Sequence, residues 1–198
     1  MKVSEALVLR PASMVHLEAL LGAAEEDRTS MLHALPWLEE DRPFRAQFTE
    51  YLEDVAGMGR AGMAHNWVIV ERGGHPGGGF DPAGERFAGI IAFNEAPQLK
   101  TGHWDLGYWV RPCCRRRGYA GAAIDAALEW IGQGGPTCIE FRCDPANAAG
   151  MATALATCAR WKGHRHPEAD CGVLVRGKMI HHEAFLIPRL PLPGGSPK

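Results

Sequence analysis

Residues 109–128 read WVRPCCRRRGYAGAAIDAAL and contain the feature that decides the fold. A strand-like run ends at Arg111 and Pro112, three arginines follow, and an Ala-rich helical pattern begins at Gly118. A strand that leads through a short turn into a helix presents unpaired backbone N–H groups and the positive end of the helix dipole, which together bind anions. Gly118 lets the backbone approach a phosphate closely, and the guanidinium groups add bidentate donors for its oxygens. The segment therefore predicts a phosphate-binding turn.

The turn differs from the two commonest nucleotide-binding motifs. The pattern GxxxxGK[ST] of nucleoside triphosphate-binding loops is absent from the chain, and this turn lacks the GxGxxG spacing of dinucleotide-binding domains. A solvated basic turn that opens an ordinary helix is the alternative interpretation of the segment taken alone. The pattern of the whole chain has to decide between these two interpretations.

The composition is that of an ordinary globular protein. The chain has 198 residues, 46% apolar and 22% charged, with a formal net charge of −2. This charge predicts no nucleic-acid partner, because such a surface needs a basic excess, and no apolar run is long enough to predict a membrane span. The six cysteines form no CxxC pair, which favours buried thiols in a reducing cytoplasm. The length predicts one domain over residues 1–187, followed by a Pro/Gly-rich, unpacked tail over residues 188–198.

Hydrophobic periodicity predicts alternating strands and helices. The predicted strands are 3–9, 66–72, 86–94, 104–110, 137–143, 173–175 and 179–187. One predicted helix follows Ser13, a second has Pro43 in its first turn, and two more occupy 118–133 and 147–161. A short segment lies at 29–37. The stretch GGHPGGGFDPAG at 73–84 predicts a flexible loop. This order indicates a mixed α/β domain with one βαβ crossover in its second half.

The phosphate-binding turn does not stand alone, because the chain resembles the GNAT superfamily of acetyl-CoA-dependent N-acetyltransferases. Residues 115–120, RRRGYA, match the signature [Q/R]-x-x-G-x-[G/A] of that superfamily in its strand–turn–helix context. LGYWVRPCCRRRGYAGAAIDAALEWI at 106–131 and CDPANAAGMATALATCARWKG at 143–163 are similar to segments of the RimJ/RimL-like branch. The resemblance extends from about residue 7 to residue 187.

The resemblance implies a fold and a cosubstrate. The expected fold is the GNAT α/β (α+β) fold, a central mixed, mostly antiparallel sheet of about seven strands flanked by helices. A splayed pair of strands would hold acetyl-CoA, and no metal is expected. The residues implied to bind acetyl-CoA are Val110, Arg115, Arg116, Arg117, Gly118, Tyr119, Ala120, Gly121 and Asn147. Asn147 also suits a helix N-cap, and both roles can hold at once.

The implied chemistry is direct attack of an amine on the thioester. It needs a base for the ammonium and a proton for the departing thiolate. Asp105, near the position where many relatives have Glu, is the candidate base or amine anchor, with a plain surface carboxylate as the alternative. The branch usually has Ser where this chain has Gly150, so the proton donor is open between Tyr108 and water, with Thr153 a weaker substitute. Tyr119 is expected to point away.

Several functions remain open at this stage. The first is N-acetyltransfer to a protein N-terminus, such as that of a ribosomal protein, or to a small amine. The acidic, aromatic segment LPWLEED at 35–41 suits a cationic acceptor, although an exposed loop is the favoured interpretation of the sequence alone. The second is a non-catalytic acyl-CoA-binding or regulatory domain, which Gly150 favours, and the third is a structural protein without a cofactor. A monomer or a homodimer is expected.

Histidine pairs do not predict a metal site. His181 and His182 are adjacent on a predicted strand and therefore point to opposite faces. His164 and His166 have no zinc-like spacing with cysteine. A histidine at the acceptor end is the remaining functional interpretation of these residues.

Overall fold

Five helices and eight strands form the part of the chain that the structure describes, residues 1–73, 85–95 and 103–191 of a computed structural model. The helices are α1 (Leu17–Glu26), α2 (Arg28–Ala34), α3 (Phe44–Arg60), α4 (Tyr119–Gly132) and α5 (Ala148–Trp161). The strands are β1 (Leu7–Pro11), β2 (Ala64–Arg72), β3 (Glu85–Asn94), β4 (Trp104–Val110), β5 (Thr137–Cys143), β6 (His164–Arg165), β7 (Cys171–Val175) and β8 (Lys178–Leu190).

The strands form a mixed sheet in the order β1-β2-β3-β4-β5-β8-β6, with β7 paired to β8. β1 is antiparallel to β2, and β5, β6 and β7 are each antiparallel to β8. β4 and β5 are parallel, and their register joins only Trp104 to Ile139 and Asp105 to Glu140. This short parallel pairing agrees with the splayed pair that the resemblance implied. The sheet confirms the predicted fold class, with eight strands instead of about seven.

The elements divide between two compact units. The first contains the described residues 1–73, 85–92 and 108–119, and the second contains 93–95, 103–107 and 120–191. In the first unit, α1, α2 and α3 share one apolar core with the sheet, in which Phe48 and Leu52 of α3 are fully buried. The sequence predicts Pro43 in the first turn of this helix, whereas the structure has it one residue earlier, as the N-cap of α3.

The second unit packs α4 and α5 with β5 and β8. Phe141 of β5 stacks on Phe185 of β8 with ring centroids 5.4 Å apart. Trp161, which ends α5, is buried and donates its indole N–H to Asp125 of α4 at 2.7 Å. This partly buried hydrogen bond joins the two helices, because an indole N–H needs a partner when it leaves water.

Three local predictions differ from the structure. The tail predicted to start unpacked at residue 188 is wrong for residues 188–190, because β8 continues to Leu190. Leu190 is fully buried and pairs with Thr137, so its apolar side chain extends the strand past Pro188. β6 was not predicted, since two residues are too few to show a period. β1 begins at Leu7 instead of residue 3, after a polar stretch that forms bends.

Two predictions concern residues beyond the described part. Residues 74–84 of the predicted loop and residues 192–198 of the predicted tail lie outside the described residues. Across the described residues, no helix combines the length and the apolar character that crossing a membrane requires.

Candidate functional site

The turn between β4 and α4 has the backbone of an anion-binding loop. Arg116 and Gly118 have left-handed φ angles of 61° and 76°, and α4 begins at the next residue, Tyr119. Alternating backbone conformations of this kind turn successive N–H groups towards one side, where an anion can bind. A Cβ on Gly118 would meet no atom within 4 Å. Within the protein itself, glycine is therefore needed here for its φ angle and not to avoid a neighbouring side chain.

Gly121, in the first turn of α4, is limited by a neighbouring side chain. A Cβ at this position would come 3.4 Å from Nη2 of Arg160. Arg160 is held by Asp125 of α4 through a hydrogen bond of 3.1 Å from its Nε. A small side chain at 121 would therefore lie in close contact with the end of Arg160.

Glu71, at the end of β2, ties the turn to the sheet. Arg117 Nη1 donates to Glu71 Oε1 at 2.8 Å, and the Tyr119 hydroxyl donates to the same oxygen at 2.7 Å. Arg86 of β3 donates to Oε2 through its Nε, at 2.8 Å, and through its Nη2. Burial raises the pKa of Glu71, but hydrogen bonds from Tyr119 and Arg86 and the charges of both arginines outweigh it and hold this pKa below its usual range.

The three arginines of the turn differ in their partners. Arg115 donates to the Val110 carbonyl at 3.0 Å and to the Ser30 hydroxyl. Arg117 is bound to Glu71. Among the described residues, the exposed side chain of Arg116 has no hydrogen bond or ion pair. The sequence predicts that the Arg115 side chain could reach a phosphate. In the structure its guanidinium group already binds two protein groups.

Asp105 lies in a cluster of buried charges in the second unit. Its carboxylate is 3.7 Å from Nη1 of Arg142. The Nη2 of the same arginine binds Glu140, whose carboxylate on β5 is fully buried. Burial raises the pKa of Asp105, Arg142 opposes this shift, and Glu140 adds to it. Nε of Arg142 is buried without a hydrogen-bond partner in the described part of the chain. Asp105 is therefore a half-buried carboxylate with increased basicity, unlike a plain surface acid.

The two candidate tyrosines have different surroundings. Tyr108 is half-buried on β4, three residues after Asp105. Tyr119 has its hydroxyl bound to Glu71, and burial together with that hydrogen bond raises the pKa of the phenol. The hydroxyl of Tyr119 therefore links the turn to the carboxylate of Glu71.

Asn147 caps α5, as predicted, by accepting a hydrogen bond from the Gly150 N–H at 3.0 Å. A Cβ on Gly150 would lie 2.7 Å from both Asn147 Nδ2 and Cys143 Sγ. The Cys143 thiol thus fills the space that a side chain at 150 would need. Burial raises the pKa of this thiol to about 11. Thr153, the possible substitute, is half-buried and donates its hydroxyl to the Ala149 carbonyl at 3.0 Å.

The segment at 35–41 presents an aromatic side chain, and one of its acidic side chains is paired with an arginine. Trp37 is 40% exposed and stacks on Tyr51 with centroids 4.8 Å apart. Glu39 is paired with Arg42 at 3.4 Å, and Arg42 also binds Glu50 at 2.8 Å. The pairing with Arg42 weakens the negative potential that the sequence indicated for Glu39.

The structure divides the predicted site residues between the units. The first unit holds Tyr108, Val110, Arg115, Arg116, Arg117, Gly118 and Tyr119, and the second holds Asp105, Ala120, Gly121 and Asn147. Sequence reasoning missed Glu71, Arg142 and Cys143. Glu71 left one signal, a carboxylate at the end of the apolar run NWVIVER. In the described residues, no group of three His, Cys, Asp or Glu side chains is placed to hold a metal ion.

Comparison with known proteins gives the family. Residues 6–156 match the model of the acetyltransferase (GNAT) domain, and no curated protein matches the chain. A solved acetyltransferase from Salmonella typhimurium, which modifies the N-terminal serine of ribosomal protein L7/L12, is 17% identical with a TM-score of 0.71, covering 93% of this chain and 96% of its own. RimL, a ribosomal L7/L12 α-N-protein acetyltransferase in complex with coenzyme A, gives the same identity and TM-score over 93% and 95%.

A third similar structure is the microcin C7 self-immunity acetyltransferase MccE, in complex with acetyl-CoA and AMP. It is 16% identical with a TM-score of 0.71, covering 94% of each chain. At these identities the neighbours establish the shared fold. The domain match covers more than half of the chain, including β1 to β5 and most of α5. The chain therefore belongs to the GNAT family of acetyltransferases.

Proposed function

We propose that the chain is an N-acetyltransferase that moves the acetyl group of acetyl-CoA to a primary amine. The observation that supports this most is the left-handed turn at Arg116 and Gly118, which opens α4 within a GNAT domain. Its backbone, its open space and its arginines fit the pyrophosphate of coenzyme A.

The residues that would hold the cosubstrate follow the family pattern. Backbone N–H groups from Arg116 to Gly121 would bind the pyrophosphate, and the backbone of Val110 would pair with the pantetheine arm. The Val110 carbonyl already accepts from Arg115, so its N–H is the better candidate for that pairing. Asn147 uses its Oδ1 as the cap, which leaves its Nδ2 donors for the cosubstrate.

The proposed reaction is a direct transfer in a ternary complex. The neutral amine nitrogen attacks the thioester carbonyl carbon, the C–S bond breaks, and the acetyl group is left on nitrogen. Asp105 takes the proton from the ammonium, directly or through water, and its raised pKa suits this role. The thiolate takes a proton from Tyr108 or from water, and the proton that the nitrogen loses as the amide forms restores that donor.

A protein N-terminus is the acceptor we propose first. Two of the similar structures are described as acetylating ribosomal protein L7/L12 at its N-terminus. The exposed Trp37 and its acidic neighbours offer a surface for a cationic chain end. A small amine such as a polyamine is the second acceptor class. The six free thiols suit a reducing cytoplasm, and a monomer or homodimer remains our expectation.

The alternative function is a non-catalytic acyl-CoA-binding or regulatory domain. Gly150 favours it, because this position supplies no hydroxyl and Cys143 leaves no room for one. This alternative predicts cosubstrate binding without transfer to any amine.

Amine-dependent release of free thiol, combined with mass spectrometry of the acceptor, tests the proposal. Peptides with a free N-terminal serine, the same peptides already N-acetylated, and spermidine would be incubated with acetyl-CoA. We expect thiol and one added acetyl group with the free peptide and neither with the blocked peptide. Cosubstrate binding without transfer to any amine would support the alternative.

A further inference from the structure

One buried carboxylate receives hydrogen bonds from three separate segments. The Glu71 side chain is 10% exposed and accepts from Arg86 of β3, Arg117 of the turn and Tyr119 of α4. Both oxygens are used, Oε2 by Arg86 and Oε1 by Arg117 and Tyr119. A carboxylate saturated in this way fixes the side chains that donate to it, because releasing any of them leaves buried charge without a partner.

Arg117 and Tyr119, the two residues whose side chains bind Glu71, lie within or directly after the strained part of the turn. Arg117 lies between Arg116 and Gly118, whose φ angles are both left-handed, and Tyr119 follows directly. A non-glycine residue such as Arg116 keeps a left-handed conformation only where its surroundings hold it. Glu71 supplies that restraint through the side chains of Arg117 and Tyr119.

We propose that Glu71 is a positioning residue for the cosubstrate, which through Arg117 and Tyr119 holds the Arg116–Gly118 backbone ready for the phosphates of acetyl-CoA. This inference rests on the proposed function. Because both Glu71 oxygens already accept from protein donors, Glu71 would act through Arg117 and Tyr119 and not on the cosubstrate directly. Its effect is preorganisation, so it should change the affinity for the phosphate-bearing part of the cosubstrate and leave the chemical step unchanged.

The same contacts assign different roles to the three arginines. Arg115 and Arg117 hold the turn, whereas Arg116 has no protein partner among the described residues and is free to meet a phosphate. The cluster of Glu71, Arg86 and Arg117 contains one negative and two positive charges, so it adds positive potential beside the turn.

The test compares two thioesters in steady-state kinetics. Acetyl-CoA contains the phosphates, and S-acetylpantetheine has the same thioester without them. Glu71→Gln should raise KM for acetyl-CoA by about tenfold or more, the effect of losing a charged hydrogen bond. It should leave kcat, and kcat/KM for S-acetylpantetheine, within about twofold.

Glu85→Gln is the matched control. Glu85 belongs to the same unit, its side chain is 12% exposed, and it accepts from Arg10 and Arg72 instead of from the turn. Its KM for acetyl-CoA should equal that of the wild type. Arg116→Ala should weaken acetyl-CoA binding by about tenfold without lowering the melting temperature, because it loses only a ligand contact.

Tyr119→Phe keeps the inference testable if Glu71→Gln does not fold. It removes one neutral donor and should raise KM for acetyl-CoA by about two- to fivefold, with S-acetylpantetheine unaffected. A folded Glu71→Gln with a wild-type KM, or one that loses both thioesters equally, would overturn the inference. If Glu71→Gln does not fold, a wild-type KM for Tyr119→Phe would overturn it. Failure of the wild type to bind acetyl-CoA would instead overturn the proposed function.

Discussion

At the residue scale, Asp105 combines a proposed catalytic role with a cost to stability. Burial raises the pKa of its carboxyl above that of the unfolded chain. The folded state therefore binds a proton more tightly than the unfolded state between the two pKa values. Stability is highest below the unfolded pKa and falls as pH rises through the folded pKa. Ionised Asp105 thus reduces stability at neutral pH, as functional groups often do.

Asp105→Asn should consequently separate activity from stability. We expect kcat to fall by about 10²–10⁴-fold, the usual contribution of a general base, while the melting temperature at neutral pH stays equal or rises. In the wild type, kcat/KM should increase with pH through the raised pKa of Asp105, because only the carboxylate accepts a proton. Thermal melts and a pH–rate profile measure both effects.

Glu129→Gln, an exposed carboxylate on α4, is the control and should change neither quantity. Wild-type turnover by Asp105→Asn across the pH range would show that the carboxylate is not the base.

Gly150 and Cys143 share one space, so their substitutions should be coupled. Gly150→Ser places a Cβ at 2.7 Å from Cys143 Sγ and should lower the free energy of unfolding by about 1–3 kcal/mol through overpacking. Cys143→Ala removes the thiol and should recover about 0.5 kcal/mol or more of that loss in the double variant. Urea denaturation of the four proteins measures the coupling.

Ala149→Ser, at the exposed neighbouring position, is the matched control and should cost about 0.5 kcal/mol or less. Strict additivity of the two substitutions would contradict the shared space.

Partners of individual side chains could not be predicted from the sequence. Three consecutive arginines give the same local signal, yet Ser30, which binds Arg115, and Glu71, which binds Arg117, lie 85 and 46 residues away. Such contacts depend on how strands and helices pack, which periodicity does not encode. The clash that excludes a side chain at 150 is equally a property of packing. The sequence shows which side chains are charged, but it does not predict which group each of them binds.

At the element scale, β8 extends further than its sequence indicated. Pro188 led us to end the strand at residue 187, but Leu190 pairs with Thr137 of β5 and is fully buried. Leu190→Ala should lower the free energy of unfolding by about 2–5 kcal/mol, the range for buried leucines. Urea denaturation followed by circular dichroism measures this change.

Arg189→Ala is the matched control, since its side chain is exposed one residue away. It should change stability by no more than about 0.5 kcal/mol. Equal small effects of the two substitutions would indicate that the end of β8 adds nothing to the folded state.

Elements with strong local signals were predicted most accurately. Predicted strands 104–110 and 137–143 coincide with β4 and β5, and helix 147–161 with α5 and its cap. Their signals are complete: a strand pattern, a capping Asn, and glycine after the helix. β6 has two residues and exists because β8 lies beside it, so no local pattern could predict it.

At the scale of the whole molecule, membership of the GNAT family indicates the expected activity. The attraction of the cosubstrate depends on individual charged residues. The chain has a net charge of −2, so attraction of an anionic cosubstrate depends on the local arginines and the start of α4, not on the overall field. The domain match over residues 6–156 confirms the resemblance on which the sequence prediction rested.

Calorimetric titration of acetyl-CoA into the wild type and Gly118→Val tests whether the Arg116–Gly118 turn holds the cosubstrate. Valine at a φ of 76° introduces strain of about 1–3 kcal/mol into this turn. Gly62→Val is the matched control, because Gly62 has a φ of 75° and equally open surroundings at the end of α3. We expect the wild type and Gly62→Val to bind acetyl-CoA alike and Gly118→Val to bind it at least about tenfold more weakly. No binding by the wild type, or unchanged binding by a folded Gly118→Val, would show that this turn is not the binding site for the cosubstrate.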